Sequence, residues 1–260
     1  MDPAQPLEPL ARPPIVEVVC GVRFAHLSDL DPLVLGAYWD QRKDTYPKHQ
    51  LLPAITDQAF ILQGTGLARV WFVSADEEFV AQFQQDRFYL NWRHRSGDYP
   101  RFSDHGANAG VLSRALDEFD QFSAFCERTI RSRPSPGSIE LSKIDVFHKG
   151  DHWSDWDDLR LMLPILGGFS GLVESDQAVL AINLSRTVED SQVQVQLGAA
   201  LQITAEGAAP RPVFKMETRA SRSPGPTLRE SFEAANRALN QVFAIVVPED
   251  ERRRRFGAGK

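Results

Sequence analysis

Cysteine is almost missing from this chain: Cys20 and Cys126 are its only two. They lie far apart, each inside an apolar run. A disulfide scaffold and a structural zinc site both need clustered ligands, so neither is expected. Buried free thiols in a reducing, cytoplasmic setting are expected instead. Long apolar runs are missing as well. No stretch reaches the roughly 18 consecutive apolar residues of a membrane-spanning helix, so no such helix is expected. The opening MDPAQPLEPLARPP carries acids and prolines where a secretory signal has an apolar segment. A surplus of basic charge is absent too: 29 Lys and Arg stand against 35 Asp and Glu, a formal net charge of −6. No global field therefore draws the chain to nucleic acid or to an anionic membrane.

The signatures of common catalytic sites are also missing. There is no His-Glu-x-x-His, no Gly-x-Ser-x-Gly elbow and no glycine-rich phosphate loop. Gly64-Thr65-Gly66 lacks the further glycine and the helix that a dinucleotide loop needs. Among the six histidines, His94 and His105 fall in one loop region and His148 and His152 in another. Gly150 between the latter two opposes a shared helix face. Solvated loop histidines are the reading, with no catalytic residue, no cofactor and no metal ligand assigned.

What is present is a soluble-protein composition, 42% hydrophobic, in a chain long enough for one large domain. Residues 1–13 carry Pro3, Pro6, Pro9 and Pro13 and read as an extended leader. An apolar strand follows over Ile15–Phe24, with Val16, Val18, Cys20, Val22 and Phe24 on one face. Asp29 or Asp31 can cap a helix that starts at Pro32 and closes near Tyr46-Pro47. Three strands are predicted next: Asp57–Gln63, Ala68–Ser74, and a long one over Glu78–Arg93, bent or broken near Gln85-Asp86. A helix over 108–131 repeats Leu112, Leu116, Phe119, Phe122, Cys126 and Ile130 at steps of three and four.

The same order then recurs. Ile139–Lys149 is a strand, Trp156–Leu166 a helix, and Ala178–Leu184, Gln192–Thr204 and Pro212–Ser221 are strands. Thr227 and Glu230 form a capping box that opens a helix lined by Phe232, Ala235, Leu239 and Phe243. The expected fold is α+β: one domain over 1–260, with pseudo-duplicated β-α-β(3)-α halves at about 14–131 and 138–247. An antiparallel sheet packs on two long helices, in a TATA-binding-protein-like or helix-grip-like shape. Residues 248–260 read as a polar tail, and the arginine run Arg252–Arg255 as solvated.

Pro13-Pro14-Ile15-Val16-Glu17, Val22-Arg23-Phe24, Asn91-Trp92-Arg93 and Tyr99-Pro100-Arg101-Phe102 are the distinctive text. On these motifs the chain resembles a sporadically distributed family of uncharacterised bacterial and archaeal proteins of similar length. The resemblance implies a shared fold in a prokaryotic protein; it carries no settled activity. Where that family reads like Tyr-x-Asn-x-Ile, this chain has Leu141-Ser142-Lys143-Ile144, so no role passes to those positions.

Strand periodicity places Arg87, Tyr89, Asn91 and Arg93 on one face, and Glu17 and Arg23 on one face of the first strand. If the strands are neighbours, Glu17, Arg23, Tyr89, Asn91 and Arg93 gather into one polar cluster. Such a cluster either locks strand register or reads an anion or a partner through the planar arginine fork. The expected function is a non-enzymatic binding or interaction protein, holding a protein partner or small ligand at the seam of the halves or on an open sheet face. A helix-grip enzyme or sensor with an anionic small-molecule pocket is the alternative. A nucleic-acid-associated accessory factor is the weaker one.

Overall fold

Strand β1 (Ile15–Phe24) follows from its alternation: Val18, Cys20, Val22 and Phe24 are buried, while Glu17, Val19 and Arg23 are half-buried. The computed structural model describes residues 9–55, 68–95, 98–104, 107–169, 181–202 and 211–257. The chain forms two compact units. The N-terminal unit comprises Glu17–Leu141 and Arg222–Phe232; the C-terminal unit comprises Met1–Val16, Ser142–Ser221 and Glu233–Lys260. The fold is α+β, and each described strand pair is antiparallel.

In the N-terminal unit β1 leads to α1 (Pro32–Arg42), then β2 (Lys48–Pro53), β3 (Ala68–Val73), β4 (Phe79–Gln84), β5 (Arg87–Arg93) and α2 (Val111–Ile130). The strand order is β2-β3-β4-β5-β1, with β1 next to β6 (Pro136–His148). Asp31 caps α1 by accepting from the Val34 amide at 2.8 Å, and Pro32 occupies the first turn, where a missing N–H costs nothing. Helix α2 starts at Gly110, whose place Asp104 secures by accepting from the Gly110 amide and the Ser113 hydroxyl, each at 2.8 Å. A Cβ at Gly110 would lie 2.5 Å from the Phe102 carbonyl oxygen, so only glycine fits there.

The stretch over 78–93 breaks at Gln85-Asp86, where it was expected to bend or break, and forms a hairpin of β4 and β5. Strand β2 was not expected at all: Lys48-His49-Gln50-Leu51 are all exposed, so no alternating burial marked them. The expected strand Asp57–Gln63 and the Gly64-Thr65-Gly66 turn lie outside the described residues.

The core of this unit is aromatic. Phe122 is fully buried, with ring centroids of Phe24, Tyr38, Phe83 and Phe88 between 4.9 and 6.3 Å away. The Phe125 ring lies tilted against that of Tyr38, with centroids 4.7 Å apart. Leu116 and Ile130, expected on the core face of α2, are only half-buried, and Ala115, Glu118 and Phe125 lie inside instead.

In the C-terminal unit β6 continues from Ser142, followed by α3 (Trp156–Met162), β7 (Ala181–Val188), β8 (Ser191–Gln202), β9 (Arg211–Arg222, to Ser221 in this unit), α4 (Leu228–Val246, from Glu233 in this unit) and α5 (Glu249–Phe256). The strand order is β6-β9-β8-β7. The expected helix over 156–166 stops at Met162 and gives way to a 3₁₀ turn over Pro164–Phe169. Pro164 cannot donate the next helical bond, and it pushes Leu163 out of the α region, to φ −126° and ψ 77°. Thr227 accepts from the Glu230 amide at 3.1 Å, the forward half of the capping box.

The 248–260 stretch, expected as a polar tail with solvated arginines, contains α5. Phe256 is fully buried, with its ring centroid 6.0 Å from that of Phe147. Arg255 donates to Asp158 at 2.5 Å, to Glu251 at 2.6 Å and to the His152 carbonyl. Arg254 adds a bond to Asp158 at 2.7 Å. Those hydrogen bonds from Arg255 hold the Asp158 carboxyl well below the usual carboxylate range.

Phe122→Ala removes the centre of the aromatic core and leaves a cavity between α2 and the sheet. It should cost about 3–5 kcal/mol of unfolding free energy. The measurement is the urea midpoint of the full chain, with an unchanged m-value.

Candidate functional site

Antiparallel pairing of β1 with β5 decides the fate of the expected polar cluster. The register sets Glu17 opposite Arg93, Val19 opposite Asn91, Gly21 opposite Tyr89 and Arg23 opposite Arg87. All five expected residues, Glu17, Arg23, Tyr89, Asn91 and Arg93, therefore project from one sheet face of the N-terminal unit. Three of them, Glu17, Asn91 and Arg93, join a directed chain of hydrogen bonds. Arg93 Nε donates to Glu17 Oε1 at 3.2 Å, and Asn91 Nδ2 donates to the same oxygen at 2.6 Å. Asn91 Oδ1 accepts from Gln82 Nε2 at 2.5 Å. Gln82 Oε1 in turn accepts from Trp71 Nε1 at 2.8 Å and from Arg69 Nη1 at 3.1 Å.

A second group lies on the same face. Tyr89 donates to Glu140 Oε2 at 2.8 Å, and Arg23 pairs with Glu140 at 3.5 Å. This reach crosses β1 at Gly21, where a Cβ would lie 2.4 Å from the Tyr89 ring. Burial, reinforced by the Glu140 charge, pushes the Tyr89 phenol up to about 12. Arg87, on the same face of β5, is held by the carboxylate of its own neighbour, Asp86, through Nε at 2.9 Å and Nη2 at 2.7 Å.

The site extends beyond the five expected residues. Arg69 and Trp71 on β3, Gln82 on β4 and Glu140 on β6 complete it. Their signal was the alternation Arg69-Val70-Trp71-Phe72, which puts Arg69 and Trp71 on one face. Glu118 was missed for a different reason: it sits inside the apolar stripe of α2. Its carboxylate accepts from Arg42 at 2.7 Å, Tyr46 at 3.1 Å and Tyr38 at 3.2 Å, and so ties α1 to α2.

The C-terminal unit presents a second polar face. Gln192, Gln194 and Gln196 on β8 are exposed, while Val193, Val195 and Leu197 point inward and are buried. Register sets Ser185 and Arg219 beside Gln194, and Asn183 and Glu217 beside Gln196. These residues line a concavity of about 390 Å³. The same unit holds a smaller cavity of about 60 Å³, lined by the polar Lys143, Asp145, Thr218 and Asn240 and by apolar side chains that include Leu239 and Phe243. Lys143 donates to Asn240 at 2.7 Å. Burial raises the Asp145 carboxyl to about 7, with the Lys143 charge pulling the other way.

His148 and His152 lie close, their ring centroids 5.8 Å apart, and the His148 amide donates to His152 Nδ1 at 2.9 Å. His94 stacks edgewise near Trp92, and His105 lies outside the described residues. Among the described residues no group of three or more His, Cys, Asp or Glu side chains could hold a metal. No described helix is long and apolar enough to cross a membrane. Both Cys20 and Cys126 are buried free thiols, and burial pushes Cys126 up to about 12. No protein-family model, curated protein or solved structure matches the chain.

Gly21→Ala should push Tyr89 off β1 and break its bond to Glu140, at a cost of about 1–3 kcal/mol. In a Tyr89→Ala background the same change should cost far less, and a double-mutant cycle on denaturant midpoints reads the difference. Asp145 supplies a pH dependence. Its folded-state proton is held above the unfolded value, so the folded state binds more protons between about pH 4 and about pH 7. Stability should fall as pH rises through that window and flatten above it. Asp145→Asn should remove the slope, as read from urea midpoints across the range.

Proposed function

We propose that the chain is a non-enzymatic binding protein that receives a protein partner on the open polar face of β7, β8 and β9. One observation carries the reading: a concavity of about 390 Å³, lined by the exposed Asn183, Ser185, Gln194, Gln196 and Arg219 and the half-buried Glu217, lies on three paired strands. Such a surface offers amide and hydroxyl groups that both donate and accept. Its charges nearly balance, with Glu217 between Lys215 and Arg219 at 3.3 and 3.5 Å. That chemistry suits the peptide groups of an extended polar segment better than a polyanion, which calls for a cationic track. Strand β7 is the outermost strand of its group and exposes Asn183, Leu184, Ser185 and Arg186, so main-chain pairing lies beside the side-chain surface. The proposal includes the internal duplication. Each unit places a long strand beside an antiparallel meander, β5-β4-β3 in one and β9-β8-β7 in the other. It also includes kinship with the family that carries the Asn-Trp-Arg motif, and a cytoplasmic location.

The test is site-specific photocrosslinking in the native host from position 194 or 196, with position 133 as an exposed control. A single protein crosslinked from both face positions, and lost when Glu217→Arg breaks the charge balance, is the expected result. Equal yields from all three positions, or none from the face, would sink the reading. Self-crosslinks would make the partner a second copy.

A further inference from the structure

We infer that the polar sheet face of the N-terminal unit holds an oxyanion-binding site built on Arg69, Trp71 and Arg93, which takes a small phosphate or carboxylate group. The argument begins with charge matching. On this face Glu17 takes Arg93, Glu140 takes Arg23, and Asp86 takes Arg87. Arg69 is the arginine left over: among the described residues its partner is a neutral amide oxygen, that of Gln82. Its Nε is buried without a hydrogen-bond partner. A guanidinium partly shut off from water normally meets a carboxylate or phosphate, because an amide dipole does not fully replace the lost hydration.

The surroundings sharpen the point. The Arg69 and Arg93 guanidiniums both lie over the one Trp71 ring, at 5.2 and 4.7 Å from its centroid. Two like charges are thus held against one indole, a costly arrangement that an anion relieves. Burial and the charge of Arg93 both lower the Arg69 guanidinium's affinity for its proton, as expected for an uncompensated cation. Arg93 is bound to Glu17 through Nε and not through its forked pair of Nη groups.

The site is also pre-organised. Every amide in the chain from Glu17 to Asn91 to Gln82 is oriented by the next, and that chain fixes one Nη of Arg69 and the indole N–H of Trp71. A ligand therefore meets side chains whose rotamers are already set, which lowers the entropic cost of binding. Access is available: Arg69 and Trp71 are half-buried, and the side chains of Arg93 and Glu17 keep 22% and 23% exposure. Glu17 sits against Arg93, so the oxyanion is placed on the Arg69 side of the ring. There Arg69 supplies the planar fork and Arg93 the second positive charge. This site is separate from the β7–β9 face and does not depend on it.

The experiment is calorimetric titration of the full chain with inorganic phosphate, and in parallel with acetate, at constant ionic strength set by sodium chloride. Saturable binding of at least one of the two anions is expected, and the preferred one names the source chemistry. Arg69→Gln should weaken that binding by at least about tenfold, since a bidentate charged contact is lost. Arg133→Gln, which breaks an exposed pair with Glu127, should leave it unchanged. No saturable binding of either anion to the parent protein overturns the site. So does equal affinity in a folded Arg69→Gln variant, with folding checked by circular dichroism. If Arg69→Gln does not fold, Arg69→Lys keeps the charge and loses the fork; it should weaken binding several-fold, and unchanged affinity there overturns the site equally.

Discussion

The N-terminal unit depends on the register of β1 against β5. Side chains alternate strictly along both strands, so one residue of slip would turn Phe88, Leu90 and Trp92 out of the core and drive Tyr89, Asn91 and Arg93 into it. Glu17 is the pin that prevents this. Its carboxylate accepts from Arg93 across the strand pair and from Asn91 two residues along. Either slipped register separates those partners and leaves Asn91, which is buried, without its hydrogen bonds, a costly loss. The hydrogen-bond chain through Gln82 carries the constraint onward to Arg69 and Trp71 on β3. The groups that define register are therefore the groups that shape the proposed oxyanion site.

Buried charge is handled in two contrasting ways. Glu118 is enclosed but saturated: an arginine and two phenols converge on it, and the price of burial is met by those hydrogen bonds. Burial and the Glu118 charge raise both phenols, so they remain donors at any physiological pH. Asp145 is enclosed beside one ammonium and a small cavity, and its proton is retained far above the ordinary range. The first arrangement joins α1 to α2. The second leaves a carboxyl beside a small cavity in the C-terminal unit.

Much of the local structure was legible in the residue pattern. The alternation of Val18, Cys20, Val22 and Phe24 marks β1, the three-and-four spacing of Leu112, Phe119, Phe122 and Cys126 marks α2, and Thr227 with Glu230 marks the start of α4. Asp31 and Pro32 place the start of α1. Other features left no such trace. Strand β2 is exposed along most of its length, so no alternating burial marks its pairing with β3. Helix α5 reads as a charged tail because its order comes from Phe256 seated near Phe147 and from Asp158 brought close by α3.

Composition and periodicity by themselves determined the α+β class, the placement of most strands and of the two long helices, and the membership of Glu17, Asn91 and Arg93 on common strand faces. These follow from side-chain direction, which depends only on local backbone geometry. The tertiary structure alone decided which faces meet. It set Glu17 against Arg93 across β1 and β5, gave Asp86 to Arg87 and left Arg69 over Trp71 with an amide for a partner. It also gathered Arg42, Tyr46 and Tyr38 around Glu118. Charge pairing is a property of distances between residues far apart in the chain, and no local pattern encodes them.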